Sequence, residues 1–522
     1  MNLPQATFVQ DFLESSADRL PSKTALVCDG RRLSYQEIDQ LANRLAHALR
    51  AAGVARGDRV AIFLPNCLES VVSIFAVLKA GAAFVVVNHT TKRDKLQYIL
   101  GNCRASALIA ESRLLAPELF ADGHGRWLRK VVLVGSPPDT FLDAARAVAP
   151  DLPFEKWDDL LARFPVERPT PVNIDLDLAC LVYTSGSTGD PKGVMSDHQN
   201  VVFASGSIIK YVDNVESDIV LNVLPLSFDY GLYQLLMTFR FGGTLVLERS
   251  FTFPAATLKV IEREKVTGFP GVPTIFAVIA PMDLSAFNLS TLRYLTNTAA
   301  ALPVSHILEI RRKFPWARLY SMYGLTETKR TLYLPPEWLE AKPGSVGIPI
   351  PGTEAWLVDE NDQRLPNGST GELVVRGRHV MRGYWEAPEA TANRYRPGPL
   401  PGERVCYSGD LFRTDADGCF YFVSRKDDII KSRGEKVSPK EVEAALYSIE
   451  GVTQAAVIGV ADPVLGQAIK AVLVVQGRTL TPAEVLAHCK ARLEDFMVPK
   501  HVEFRDAMPL TSSGKIAKRE LA

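Results

Sequence analysis

The sequence predicts an α/β protein. It has a large multi-subdomain N-terminal domain, built of two parallel-type α/β layers plus a β-rich subdomain, and a small α+β C-terminal domain. Three observations predict this. Short apolar strand runs alternate with helical periodicity over the first 110 residues and again from 178 to 321. From about Gly344 the texture changes to short strands parted by Gly, Pro and Asp turns. After Arg425-Lys426-Asp427-Asp428 a compact strand–helix–strand pattern begins, and roughly 100 residues of that apolar content suffice for a separate lobe. The domains are therefore read as 1–424 and 425–522.

Taken in order, Phe8 to Ala17 has helical spacing and Lys23 to Val27 reads as a strand. Asp29-Gly30 is a hairpin signal, since both residues tolerate a left-handed backbone. Ser34 with Glu37 three residues later forms a capping box, which opens a helix to about Ala52. The strand Val60 to Leu64, a helix over Leu68 to Leu78 and the strand Ala83 to Val87 follow. Asp94 is expected to cap a helix over Lys95 to Leu100, before a strand at Ala107 to Ala110. Residues 113–170, rich in Pro, Asp and Arg, read as peripheral, with one strand at Val131 to Val134.

Alternation resumes with the strand at Leu178 to Val182. Helices are expected at Asn200 to Lys210, Leu232 to Phe239, Pro254 to Glu264, near Pro273 to Ile279, and at Val304 to Lys313. Strands are expected at Ile219 to Leu224, Thr244 to Leu247, Gly268-Phe269, Tyr294 to Thr296 and Ala317 to Ser321. Ala355 to Val358 and Gly371 to Arg376 belong to the β-rich stretch. The last lobe reads as strands at Ile429 to Lys431, Gln454 to Val460, Lys470 to Val475 and Glu503-Phe504, with helices at Pro439 to Ser448 and Pro482 to Leu493.

Composition narrows the function classes. At 522 residues, 47% hydrophobic and 23% charged, the chain reads as a multidomain globular protein. Its 59 basic residues balance its 59 acidic ones, so there is no electrostatic case for nucleic acid or an anionic membrane as the main partner. Seven scattered cysteines without C-x-x-C spacing read as reduced thiols, and the N-terminus lacks a signal-peptide pattern; together they imply a cytoplasmic protein. The most apolar window, Val71 to Val87, contains Lys79 and Gly81, so it reads as a buried helix turning into a strand and not as a membrane span.

The chemistry concentrates in loops that follow strands. Thr184-Ser185-Gly186-Ser187-Thr188-Gly189-Asp190-Pro191-Lys192 joins glycines, hydroxyls and one lysine. Such a loop lets successive N–H groups approach an anion, and the lysine adds a mobile charge suited to phosphate. In Tyr323-Gly324-Leu325-Thr326-Glu327, a carboxylate beside phosphates suits Mg²⁺, which takes one or two carboxylates plus phosphate oxygens, and Tyr323 suits a base. Asp410 in Tyr407-Ser408-Gly409-Asp410 has two oxygens for two ribose hydroxyls. Tyr384-Trp385 reads as a core aromatic pair. The charged stretch from Arg425 to Pro439 suits a hinge, and Lys515, in Ser513-Gly514-Lys515, is a lone lysine able to reach another domain's site. Each stretch also has an ordinary structural counterpart: a surface loop, a turn Asp, a solvated linker, a frayed tail.

Together and in this order, T-S-G-S-T-G-x-P-K-G, Y-G-L-T-E, S-G-D and S-G-K resemble the adenylate-forming superfamily of acyl-CoA synthetases, peptide-synthetase adenylation domains and luciferases. The resemblance spans essentially the whole chain. It implies that Thr184, Ser185, Gly186, Ser187, Thr188, Gly189 and Lys192 close over the phosphates of ATP. It gives Glu327 to Mg²⁺, Thr326 to the α-phosphate, and Tyr323 with Ala299 and Ala300 to adenine. Asp410 and Arg425 would hold the ribose, Asp427 matches the hinge, and Lys515 matches the lysine that bridges carboxylate and phosphate. The implied reaction is adenylation of a small-molecule carboxylate, then transfer of the acyl group to coenzyme A. The alternative is a stand-alone adenylation enzyme that loads an amino acid, such as a proline-like one, or an acyl group onto a carrier-protein phosphopantetheine.

The acid pocket is implied at Phe228, Asp229, Tyr230, Tyr233, Asn297, Met322 and Arg330. Phe228 stands where many acyl-CoA synthetases have histidine, and Phe228-Asp229 resembles amino-acid-adenylating enzymes, where the aspartate holds an ammonium. A buried aspartate needs a cation or donors, and Asp229 has two candidates: a substrate ammonium or Arg330. Thr298, where glycine is more usual, narrows the expected pocket. Two potential charges disfavour a long, purely apolar acyl tunnel.

Overall fold

The computed structural model describes every residue except 1, 2, 4, 122–124, 185–189, 301, 427, 433–434, 463–465, 512–513 and 522. The chain forms two compact units. One comprises residues 1–270, 326–329 and 376–404; the other comprises 271–325, 330–375 and 405–522.

The first unit holds a seven-stranded sheet in the order Phe154–Lys156, Lys130–Val134, Ala105–Glu111, Arg59–Phe63, Ala83–Val86, Leu178–Thr184, Lys192–Asp197. Only the last pairing is antiparallel. The central strands are near-continuous apolar runs because helices cover both faces; Val60, Ala61 and Ile62 are fully buried. Residues 113–170 are less peripheral than expected. Lys130–Val134 and Phe154–Lys156 extend this sheet, and Asp139–Val148 is a helix. Turn-rich composition there reflects the connections, while the short apolar strands still supply pairing edges.

A second parallel layer in the same unit runs Gly268–Gly271, Ile219–Asn222, Thr244–Leu247, Thr24–Cys28 and closes with the hairpin strand Arg31–Ser34. The hairpin turns at Asp29 (φ 47°) and Gly30 (φ 76°), as the Asp-Gly pair predicts. The capping box is present too: Ser34 accepts from the Glu37 amide and Glu37 reaches back to Ser34. Asp94 is not the cap of its helix. The helix Arg93–Asn102 starts one residue earlier, with extended Lys92 at the cap position and Asp94 in the first turn.

The apolar helix Leu68–Ala80 ends on Gly81 (φ 93°) and leads into Ala83–Val86, with no membrane-spanning length. No helix among the described residues is long and apolar enough to cross a membrane. Its one charged core residue, Lys79, is 3% exposed. Its ammonium donates to Asp39 at 2.8 Å and to Glu14, and Asp39 also accepts from Arg168 at 3.0 Å. This network ties the helices Asp11–Arg19, Tyr35–Ala51 and Leu68–Ala80 together.

In the second unit, Tyr294–Asn297 and Arg318–Tyr323 pair in parallel, and Leu332–Tyr333 and Ile348–Pro349 follow antiparallel. The expected β-rich stretch is antiparallel: Arg404–Thr414 pairs with Thr370–Arg376 and with Phe420–Arg425. The C-terminal stretch is α+β. Its sheet runs Glu435–Val437, Ile430–Ser432, Gly466–Val475, Val452–Asp462, with His501–Phe504 parallel to Gly466–Val475. The helices Pro439–Tyr447 and Pro482–Lys490 contribute Val442, Leu446 and Val485 to a core with Val457 and Leu473.

Candidate active site

The phosphate-type loop links two paired strands. Thr184 faces Lys192 across the antiparallel pair Leu178–Thr184 and Lys192–Asp197. Residues 185–189, expected to line the phosphates, lie outside the described residues, as does Asp427. The other edge of Lys192–Asp197 is covered by 382–385: the Trp385 amide donates to Gly193 O at 2.7 Å and the Met195 amide to Gly383 O at 2.9 Å. This docking carries Tyr384 under Lys192, whose Nζ lies 5.7 Å from the ring centroid.

Tyr384 in turn reaches Glu327. Its hydroxyl donates to Glu327 Oε1 at 2.5 Å, and Arg394 Nε donates to the same hydroxyl oxygen at 3.3 Å. The Met381 amide donates to Glu327 O at 2.9 Å, which fixes the backbone of the Thr326–Lys329 segment. Burial, and after it the Glu327 carboxylate, raises the Tyr384 phenol above its ordinary range, so it stays a donor at neutral pH. Glu327 is 8% exposed, and no lysine or arginine among the described residues forms an ion pair with it. Among those residues no cluster of three or more His, Cys, Asp or Glu side chains is placed to hold a metal. A lone, oriented carboxylate fits Mg²⁺, which keeps waters and phosphate oxygens for its other positions. Tyr384 was expected only as core; its partner is distant in sequence and no local signal marks it.

In the second unit, Tyr323 and Asp410 form one device. The Tyr323 hydroxyl donates to Asp410 Oδ2 at 2.6 Å, and its ring packs edge-on to Phe412 at 4.8 Å. Asp410 is 6% exposed and faces Arg425 across the sheet, with Arg425 Nε 3.9 Å from Oδ1. The bend at Gly409 (φ 71°) is held by its amide donating to Glu372 Oε1 at 2.9 Å, and Lys426 pairs with Glu372 at 2.7 Å. Asn297 Nδ2 donates to Ala300 O at 3.3 Å, which shapes a loop whose Ala299 has φ 75°. Asn297, Thr298, Met322 and Arg330 are buried; Ala300 is exposed.

The expected acid-pocket helix is Asp229–Phe241, three residues longer at its start than its leucines predict, with Phe228 at the cap position. Tyr230 and Tyr233 are buried. The turn before it is clamped through backbone atoms. Asn66 Nδ2 donates to Leu224 O and Glu248 O, both at 3.0 Å, and Asn66 Oδ1 accepts from the Leu226 amide at 3.0 Å. Asn222 Nδ2 donates to Gly231 O at 3.2 Å. Gly231 sits where a Cβ would lie 2.4 Å from Pro225 O, so only glycine admits this approach.

Lys515 stands exposed on a turn in the second unit. The Thr511 amide donates to Lys515 O at 2.7 Å, and the Lys515 amide donates to Thr511 Oγ1 at 3.1 Å. Gly514 (φ 77°) presents its carbonyl to Thr274 Oγ1 at 3.2 Å, at the start of the helix Pro273–Ile279.

Tyr384→Phe tests the Tyr384–Glu327 contact. It removes one charge-assisted hydrogen bond; where a carboxylate holds a metal, as the resemblance implies for Glu327, such a partner typically carries about 10–100-fold in metal affinity. The Mg²⁺ concentration for half-maximal ATP–pyrophosphate exchange should rise about tenfold. An unaltered Mg²⁺ dependence would detach Tyr384 from the site.

Known proteins match along the whole length. The AMP-binding enzyme family matches residues 13–385, and the AMP-binding enzyme C-terminal domain matches 441–515. A feruloyl-CoA synthase of Amycolatopsis sp is 38% identical over 96% of this chain and 96% of its own. A long-chain-fatty-acid–CoA ligase of Bacillus subtilis (strain 168) is 33% identical over 99% of this chain and 94% of its own. Among solved structures, the anthranilate CoA ligase AuaEII in complex with anthranoyl-AMP superposes with a TM-score of 0.89 at 28% identity, covering 100% of this chain and 97% of that one. With these matches, the chain belongs to the AMP-binding enzyme family and is an AMP-forming acid–thiol ligase of the acyl-CoA synthetase kind.

Proposed function

We propose that the protein activates a small, polar-substituted carboxylic acid with ATP and passes the acyl group to coenzyme A. The observation that carries the reading is the Lys192–Tyr384–Glu327 array: a cation and a carboxylate without an ion pair among the described residues share one phenol. That arrangement suits a metal–triphosphate, with Lys192 on the phosphates and Glu327 on the metal. Mg²⁺, when bound, offsets phosphate charge as the pyrophosphate leaves. Thr326 holds the α-phosphate. Tyr323 lies against adenine beside Ala299 and Ala300, while Asp410, with Arg425, takes the ribose hydroxyls.

In the first half-reaction a carboxylate oxygen bonds to the α-phosphorus and pyrophosphate departs. Lys515 neutralises charge between carboxylate and phosphate as that bond forms. In the second, the coenzyme A thiolate bonds to the acyl carbon and AMP departs. Residues 425–522 are the mobile lobe and Asp427 its hinge, so that one site serves both steps. The seven cysteines are free and buried, in keeping with a reducing, cytoplasmic setting.

ATP–pyrophosphate exchange across aryl, fatty and amino acids, followed by thioester formation with coenzyme A or a phosphopantetheinylated carrier protein, tests the reading. The expected result is exchange with a small substituted acid and a coenzyme A thioester. Exchange with amino acids alone and transfer only to the carrier protein would replace this reading by the carrier-loading one.

A further inference from the structure

Lys329 has no role in the reaction above, yet its setting is unusual. It is fully buried, and its Nζ has no hydrogen-bond partner among the described residues. No carboxylate among them lies within ion-pair distance of it either. A bare ammonium in a protein interior is strongly disfavoured unless an opposite charge or acceptor meets it. The backbone makes the position stranger: Lys329 has φ 57°, a left-handed conformation that L side chains with a Cβ adopt reluctantly.

Its surroundings say where the charge points. The ammonium lies 5.9 Å from the centroid of the ring of Tyr233, a buried residue of the helix Asp229–Phe241. The buried Cys180 thiol, on the strand that leads into the phosphate-type loop, feels both the Lys329 ammonium and the Asp229 carboxylate. Lys329, Tyr233, Cys180 and Asp229 all belong to one compact unit. The ammonium thus stands beside Tyr233, on the helix that, on the reading above, walls the acid pocket.

We propose that Lys329 determines specificity by receiving a second, anionic oxygen group on the acid substrate, remote from the carboxylate that is activated. The Tyr233 ring face attracts the ammonium and helps to hold it in place. This inference rests on the acid–ligase reading and narrows its substrate class to acids with a second acidic function. A site built around an unmatched charge rejects the analogue that leaves the charge unmet, which makes discrimination steep.

Matched acid pairs test it: benzoate against its 3- and 4-carboxy derivatives, and hexanoate against adipate, each in ATP–pyrophosphate exchange. Wild-type protein should prefer the doubly acidic member of at least one pair by about tenfold or more in kcat/KM. Lys329→Met should abolish that preference, while Lys329→Arg retains part of it. AMP binding measured by calorimetry should be the same in all three proteins. Wild-type preference for the singly acidic member of every pair overturns the proposal without recourse to a variant. Equal loss on both members in Lys329→Met, with AMP binding retained, also overturns it, leaving a structural lysine. Exchange with none of these or any other carboxylic acid would instead remove the ligase reading itself.

Discussion

Lys515→Ala should lower ATP–pyrophosphate exchange by about 10²–10³-fold, the usual loss when one charge-stabilising donor is removed from a polar transition state. Conversion of preformed acyl-adenylate into thioester should stay within about twofold. The turn bearing Lys515 is held without its side chain in either bond: the Thr511 amide donates to Lys515 O, the Lys515 amide donates to Thr511 Oγ1, and Leu510 bridges to Ile516. Truncation therefore removes the ammonium and leaves the turn in place. An exposed residue of this kind changes stability by less than about 0.5 kcal/mol, so the loss in exchange is readable as chemistry. Equal losses in both half-reactions would contradict the assignment of Lys515 to adenylation.

The largest effect on stability is expected at Lys79→Met. The shape is nearly conserved, but Asp39 and Glu14 lose the cation between them. Breaking a buried ion pair from one side costs about 3–5 kcal/mol, because the other charge is left behind. Arg168 still reaches Asp39 at 3.0 Å, which keeps the cost toward the lower end. A chain with two compact units is not a two-state system. Native-state hydrogen exchange of the amides in Leu68–Ala80 is thus the right measurement, and their protection should fall selectively. Lys79→Met combined with Asp39→Leu should recover much of the loss. If the double variant is no better protected than the single, charge burial is not what Lys79 contributes.

How legible the molecule was in its sequence depended on whether the cause was local. The Asp29-Gly30 hairpin and the Ser34–Glu37 capping box were readable because turn and cap preferences act over three or four residues. The strand-and-helix alternation was readable because each element carries its own periodicity. Edges of elements were less so: the helix at Asp229 begins before its leucine spacing does, since Asn222 and Asn66 fix its entry from elsewhere in the chain. The motif residues Lys192, Glu327, Tyr323 and Asp410 were nameable from a characteristic order. Tyr384 was not, because what distinguishes it from an ordinary core tyrosine is one hydrogen bond to Glu327. Nor was Lys329, which is set apart by having no hydrogen-bond partner among the described residues in a fully buried place.

The clamp on the turn from Leu224 to Leu226 has a consequence for how such an enzyme changes. Asn66 and Asn222 grip only main-chain carbonyls and amides, and Gly231 approaches Leu224 O and Pro225 O with no side chain of its own. These particular contacts use no side chain of the helix Asp229–Phe241. Positions such as Phe228, Asp229 and Tyr233 behave like interchangeable bits in a fixed chuck. If they line the acid pocket as proposed, a lineage, or a designer, would replace them one at a time and move from one acid to another, while the backbone that aims them stayed where it was.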